Sequence, residues 1–528
     1  MLQNYSKASL NQRFSLNLRK KHQMILHFLP TGSTKTFLFL AALFLLVTGC
    51  KKEEVLDEEQ AVEATRQDTD DTAISLEGAL QVSDFVWEGL NTYYYWQEEV
   101  PNLADSKLSD EKAFAQFISN NSEPEAFFES LLHPDDRFSW IQDDYEELEN
   151  LLQGVYASNG VEFGLTYACN DCDLIAGYVK YILEDSDAST KNIKRGDFFT
   201  GVNGTTLNVN NYRELLFGDD LTYTLNMADL QTDGIVSNGT SIELTQEENF
   251  ETNPIQLNKI LNTEVGKVGY LMYNQFVAEK SSNLNSVFGD FKSQGIDDLI
   301  VDLRYNGGGS VRNCIELASM ITGQFTGEIF SKEQWNTKLA TYIEERFGAD
   351  SLQDTFVDTL EDGEPINSLS LNRIIILTTS ESASASELLI NSLSSYIDVI
   401  HIGERTTGKN VGSITVYDYI DNEGTKNPDH TYAMQPIVLK IANKDDFADY
   451  ADGLEPDSII EESFRTLGTL GSRDEPLLAE AIRYLTGGTA KTSTVPSISR
   501  DLLIQDPLLY KMQGMFVDKN RFQNQGKR

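Results

Sequence analysis

At 528 residues the chain is too long for one hydrophobic core, and a content of 40% hydrophobic and 10% aromatic residues describes folded globular domains. Its 82 acidic against 42 basic residues give a net charge of −40, which repels phosphate backbones and anionic headgroups. Nucleic acid is thereby excluded as a partner, while the charge itself names no substrate.

The N-terminus reads as an export address. The first 49 residues hold six Lys/Arg and no Asp or Glu, so their removal leaves 36 basic against 82 acidic residues, a net of −46. FLFLAALFLLV (37–47) suits a signal-peptide core and is short for a membrane span. It runs into LVTGC, which resembles a bacterial lipobox with Cys50 as the lipidated first residue of the exported protein. A plain apolar N-terminal helix is the alternative. The following KKEEVLDEEQAVEATRQDTDD is acidic and poor in apolar residues, a tether without a core of its own. Such a run behind a lipidated Cys resembles the surface-export signals of Bacteroidetes lipoproteins. The expectation is a protein lipid-anchored to the bacterial cell envelope, at the outer membrane and facing its surface. The boundaries are 1–49 for the signal peptide and 50–80 for the tether.

Residues 81–155 carry apolar side chains at three- and four-residue spacing (VSDFVWEGLNTYYYWQ, EKAFAQFISN, EAFFESLL, DDYEELENLLQ) and predict a small helical domain. From Gly160 the period moves towards two. GVEFGLTYA, IAGYVKYIL and GDFFTGVNGTTL predict strands, and NVNNYRELL a short helix with Asn208 as N-cap, within a β-rich module over 156–250. The CNDC at 169–172 has half the spacing of a zinc site and no second pair, so a local disulfide or two free thiols fits better than a metal. Over 251–487 buried strands alternate with helices: VGYLMYNQF, NLNSVFGDFKSQG, DDLIVDLRYN, SVRNCIELASMI, NRIIILTT, SASELLINSLSSY, DVIHIG and PLLAEAIRYLTG. Such alternation predicts an α/β domain on a parallel or mixed sheet. Residues 488–528 read as a loose polar tail.

Chemistry concentrates where core strands end. TTSESASASELL (378–389) sets four serines within seven residues at a strand-to-helix junction, where small neighbours let a substrate backbone approach. A helix-capping turn fits the same letters. A nucleophilic serine needs a base. Of the histidines beyond the leader, His133 falls in the helical region, His401 inside an apolar strand and His430 in a polar loop, and none has a catalytic setting. Lys409 in ERTTGKNVG remains. From Ser384 a helix runs away roughly 16 Å, and DVIHIG returns roughly 20 Å, which brings Lys409 back towards the serines. Buried beside a serine its amine would act as a base; a surface lysine in a turn fits the spacing as well. DLRYNGGGS (302–310) is a second strand end whose glycines can expose amides to an oxyanion. The competing phosphate-loop reading lacks the Lys-Ser/Thr that should follow it.

Taken in order, DLRYNGGG, SASASE and TTGKNVGS resemble the carboxyl-terminal processing (tail-specific) serine proteases, and GLEPD (453–457) matches a late turn of that family. IKRGDFFTGVNGTTL likewise resembles a PDZ domain, with Phe163-Gly164-Leu165 where that domain has its carboxylate-binding loop. The resemblance implies an α/β, crotonase-like protease core with an inserted PDZ-like module and an N-terminal helical domain. It implies Ser384 as nucleophile, Lys409 as base, and oxyanion donors from Ala385 and from Gly308 or Gly309. Family members carry Gln four residues after the Lys; here Ser413 stands there as the third catalytic residue. Implied, too, are peptide-bond hydrolysis of exported polypeptides recognised at their C-termini and no need of a metal or other cofactor. A non-catalytic PDZ-type peptide-binding lipoprotein is the alternative reading.

Overall fold

The computed structural model describes residues 78–421, 423–488 and 514–517. The expected signal peptide, Cys50 and nearly all of the tether lie outside the described residues.

The run of Ile and Leu at 374–377 becomes the strand Arg373–Thr378 at the middle of a six-stranded sheet. The order is Ile255–Thr263, Gly266–Tyr273, Asp298–Asp302, Arg373–Thr378, Asp398–Gly403, Ser458–Ile459, with only the first pair antiparallel. Alternate residues face opposite cores, which explains why both parities are apolar. Ile374 and Ile376 pack with the helices Ser281–Gln294, Val311–Thr322 and Ala385–Leu393, while Ile375 and Leu377 pack with Pro476–Leu485. Helix ends follow local chemistry: Ser310 Oγ accepts from Asn313 N to open one helix, and Gly295, in the left-handed region at φ 62°, closes another.

Helices form at Ala79–Tyr93, Glu111–Ser119, Pro124–Ser130 and Tyr145–Leu152. Their buried apolar residues form one cluster, which also takes in two side chains from the core. Phe85, Trp87, Leu90, Phe114 and Phe128 share a cluster with Val416 and Met434, and Asn336 Nδ2 donates to the Thr92 and Tyr94 carbonyls. Between this region and the core sheet, a second six-stranded sheet (Val161–Tyr167, Ile175–Ile182, Phe198–Val202, Thr222–Gln231 and Gly234–Thr245 in order, with Thr205–Thr206 beside Phe198–Val202) packs on the short helix Tyr212–Phe217. Its neck is the strand pair Val155–Ser158 and Glu247–Glu251.

Two expectations are corrected. The short helix starts after Asn211, which holds the N-cap position without a side-chain cap bond, and not after Asn208, whose side chain accepts from Asn210 N in a turn. The tail is not uniformly loose and polar. Met515–Phe516 forms a strand between Gly309–Ser310 and Val411–Ser413, with Met515 fully buried in the main core. An apolar pair flanked by Gly514 and Val517 was the available signal, too short for periodicity to register. Cys169 and Cys172 form a disulfide, the first of the two open readings of that pair.

Candidate active site

The serines at 380–386 differ in what holds them. Ser382 Oγ donates to the Leu303 carbonyl (2.7 Å) and Ser386 Oγ to the Asn306 carbonyl (2.9 Å), stitching the turn to the neighbouring strand end. Ser384 is fully buried, and its Oγ has no hydrogen-bond partner. Its backbone sits at φ 62°, ψ −111°, a conformation costing an L residue about 1–3 kcal/mol and recurrent where a turn presents a nucleophile.

Glu387 connects this turn to the lysine. Its Oε2 accepts from both Ser384 N (2.7 Å) and Lys409 N (2.8 Å), and its Oε1 accepts from Gly408 N (2.7 Å) and Thr406 Oγ1 (2.5 Å). One carboxylate therefore fixes the two backbones against each other. Burial raises the Glu387 pKa, and the four donors oppose the shift. Lys409 is 2% exposed, and burial pushes its amine down to about 7; Arg137 adds to the shift, while Asp136 and Glu387 resist it. At neutral pH a substantial fraction of the amine is unprotonated and able to take a proton.

The glycine loop closes the site from the other strand end. Gly308, at φ 118°, lies so close that a Cβ there would stand 2.7 Å from Ser384 Cβ and 3.2 Å from Ala385 N. Gly309, at φ 133°, passes the Phe276 carbonyl with only 2.1 Å for a Cβ. Both positions exclude a side chain. Asn306 holds the loop: its carbonyl accepts from Ala383 N, its Oδ1 from Gly308 N (2.9 Å), and its Nδ2 donates to the Tyr273 carbonyl. The Gly308 amide is thus used within the loop. Ala385 N, in the first turn of its helix, has no intrahelical acceptor.

Other expected residues fall as follows. Ser413 lies on the strand Val411–Ser413, and its hydroxyl donates to the Met515 carbonyl (3.3 Å) while its own carbonyl accepts from Val517 N. Phe163, Gly164 and Leu165 sit inside the strand Val161–Tyr167, paired with Val179, Tyr178 and Gly177. The expected loop there is corrected to an edge strand; the turn comes earlier, where Asn159 Oδ1 accepts from Val161 N. Phe163 stacks on Phe217 of the adjacent helix. His401 is a core residue bonded to Thr378 Oγ1, with burial lowering its pKa to about 4; His133 stacks on Trp96, and His430 pairs with Asp418. Among the described residues no group of three or more His, Cys, Asp or Glu is placed to hold a metal ion.

Glu387 and Phe138 went unassigned in the sequence. Glu387 had a signal, since Ser384-x-x-Glu387 is the spacing of a capping box. Phe138 had none, because its ring reaches Lys409 from a region 271 residues away in the chain, the span of the neighbouring Arg137–Gly408 hydrogen bond. The β-rich module also touches the site. Lys180 pairs with Glu381 of the serine turn, and Arg195 reaches Tyr305 of the glycine loop and Glu462. Tyr181, Asn274, Tyr305, Gly307 and Glu381 line the cleft between module and core.

Comparisons with known proteins follow this architecture. The model of peptidase family S41 matches residues 267–457, and that of the peptidase S41 N-terminal domain matches 81–140. The carboxyl-terminal-processing protease of Synechocystis sp. is 25% identical over 235 residues, covering 44% of this chain and 48% of that protein. Carboxyl-terminal-processing peptidase 1, chloroplastic, of Arabidopsis thaliana is 27% identical over 246 residues, covering 46% and 45%. The chain spans about half the length of these curated relatives. A crystal structure of an S41 protease from Bacteroides fragilis shares the fold, with TM-score 0.59, 23% identity and coverage of 76% of this chain and 97% of that one.

Proposed function

Because the chain belongs to peptidase family S41, that of the carboxyl-terminal processing proteases, we propose that it is a serine endopeptidase acting on exported polypeptides. One observation carries the reading: of the serines in the strand-to-helix turn, Ser384 alone combines a strained backbone with a buried, unpartnered hydroxyl, and one carboxylate oxygen ties it to a buried lysine. In the proposed reaction neutral Lys409 takes the proton of Ser384 Oγ as the oxygen attacks a peptide carbonyl. The developing oxyanion is taken by the amide of Ala385 together with one from the glycine loop, Gly308 or Gly309; in the resting structure the Gly308 amide serves Asn306 and Gly309 is paired with Met515. Lys409 returns the proton to the leaving amine, and water then releases the acyl group. Ser413 is left as a support of this strand rather than of the amine, given its bond to Met515.

The β-rich module, lying between the two family-matched segments, is proposed as a PDZ-type reader of peptide C-termini. Val161–Tyr167 is its edge strand beside the helix Tyr212–Phe217, the arrangement that accepts a peptide as an added strand, with Phe163, Gly164 and Leu165 at the groove. The test is mass-spectrometric detection of a fluorophosphonate adduct on Ser384 together with cleavage of unstructured peptides ending in either a free acid or an amide. Labelling of Ser384 and faster turnover of the acids is the expected result. Absence of both labelling and cleavage would favour the peptide-binding lipoprotein; equal turnover of acid and amide would remove the carboxylate from recognition.

The lipobox places the enzyme, by the same proposal, on the cell envelope through lipidated Cys50. Cys50→Ser is expected to move the protein from the detergent phase to the aqueous phase in a partitioning assay. Unchanged partitioning would count against the anchor.

A further inference from the structure

An aromatic ring beside the Lys409 amine comes from none of the three motifs. Phe138 lies between the helices Pro124–Ser130 and Tyr145–Leu152 of the N-terminal region, and Lys409 Nζ stands 4.6 Å from its ring centre. The segment carrying it is pinned at each residue. Asp136 Oδ1 accepts from Phe138 N and Ser139 N (both 2.9 Å), and Asp136 Oδ2 accepts from Tyr94 Oη. Arg137 donates to the carbonyls of Gly408 (2.7 Å) and Ala451 (3.0 Å), so it grips the residue just before the lysine. Ser139 Oγ accepts from Ile437 N (2.8 Å). The Arg137 guanidinium lies 4.7 Å from the same ring.

We propose that Phe138 is a positioning residue of the active site, a cover that keeps water from the Lys409 amine, so that the N-terminal region sets the protonation state of the base. This rests on the assignment of Lys409 as base. A ring over an amine acts in two opposed ways. Its electron-rich face favours the ammonium by at most about one and a half pH units, whereas exclusion of water favours the neutral amine by up to about three to five. Dehydration wins. The charged groups facing the amine are Asp136 from the same turn and Glu387 from the serine helix, which favour the ammonium, and Arg137, which opposes it. Burial is the largest influence and lowers the amine to about 7.

The experiment measures phosphonylation of Ser384 by a fluorophosphonate, with release of fluoride, against pH in the full chain, for the wild type and for Phe138→Ala, Phe138→Gln, Phe138→Leu and Lys409→Ala. Opening the amine to water (Ala) or offering it a polar partner (Gln) should move the midpoint of the rising limb up by at least about one pH unit. That is about a tenfold loss below neutrality, recovered in alkaline buffer. Leu keeps the cover without the ring face, so its midpoint should stay at or below the wild-type value. Should Phe138→Ala fail to fold, the Gln and Leu pair decides. Wild-type midpoints in Ala and Gln, whatever the loss of rate, would overturn the cover while an inactive Lys409→Ala left the base assignment standing. A Lys409→Ala that is phosphonylated at the wild-type rate would overturn both.

Discussion

Ser384→Ala is expected to lower peptide cleavage by about ten-thousand-fold or more while the far-ultraviolet spectrum and thermal midpoint stay near wild type. The change removes one oxygen that no group in the fold depends on. Lys409→Ala should lose as much, and Lys409→Arg should not restore it, because a guanidinium stays protonated and cannot serve as a base. The pH dependence carries a definite sign. The amine acts only when neutral and burial brings it to about 7, so the rate should climb as pH rises through that value and then level. His401→Gln should cost stability through its bond to Thr378 and its buried position, with activity per folded molecule preserved. An active Lys409→Arg beside a folded but dead His401 variant would point to a histidine base.

Arg304→Met is expected to be the most destabilising single change away from the site. Arg304 is fully buried, donating to Asp302 (2.7 Å), Glu475 (2.7 and 3.0 Å) and Glu462 (2.8 Å). Burial alone would raise the Glu462 carboxyl, but Arg304 and Arg195 outweigh it and bring it to about 2. Without Arg304, Glu462 keeps Arg195 while Asp302 and Glu475 lose their guanidinium partner, and breaking such a buried network costs about 3–5 kcal/mol. The cluster joins separate parts of the chain: Asp302 ends a core strand, Glu475 accepts from Leu478 N to cap the helix Pro476–Leu485, and Arg195 comes from the β-rich module. A fall in the thermal midpoint of about 10 °C, with early loss of protection in Pro476–Leu485 by hydrogen exchange, is the expected outcome. A midpoint within about 2 °C of wild type would show that the network is replaceable by packing.

The strand-helix alternation of the core was legible because strands covered on both faces are apolar at every position, as at 374–377, and helices covered on one face are not. The helices of residues 79–152 were legible for the second reason. That they rest on Val416 and Met434 was not, since periodicity tells that a face is buried and not against what. The same limit explains Met515–Phe516, whose burial depends on two strands more than a hundred residues earlier. Local chemistry also bounded the helix error: Asn208 and Asn211 are both cap-type residues, and their side chains bond within the turn, to Asn210 N and Asn208 N, so that the helix starts at the later one.

By itself the sequence determined the cast of the candidate site. Serines at one strand end, glycines at the next and a lysine beyond the returning strand are short-range facts, written in residue type and spacing. Only the tertiary structure decided their state. Which serine keeps an unpartnered hydroxyl depends on the Leu303 and Asn306 carbonyls taking the others. Whether the lysine amine is dry depends on a ring from the far N-terminal region, and whether its backbone is fixed depends on a glutamate one turn into another helix. Hydrogen-bond geometry and dehydration act through space over a few ångströms, and residues that meet around Lys409 lie far apart in the chain, 271 positions in the case of the Arg137–Gly408 bond.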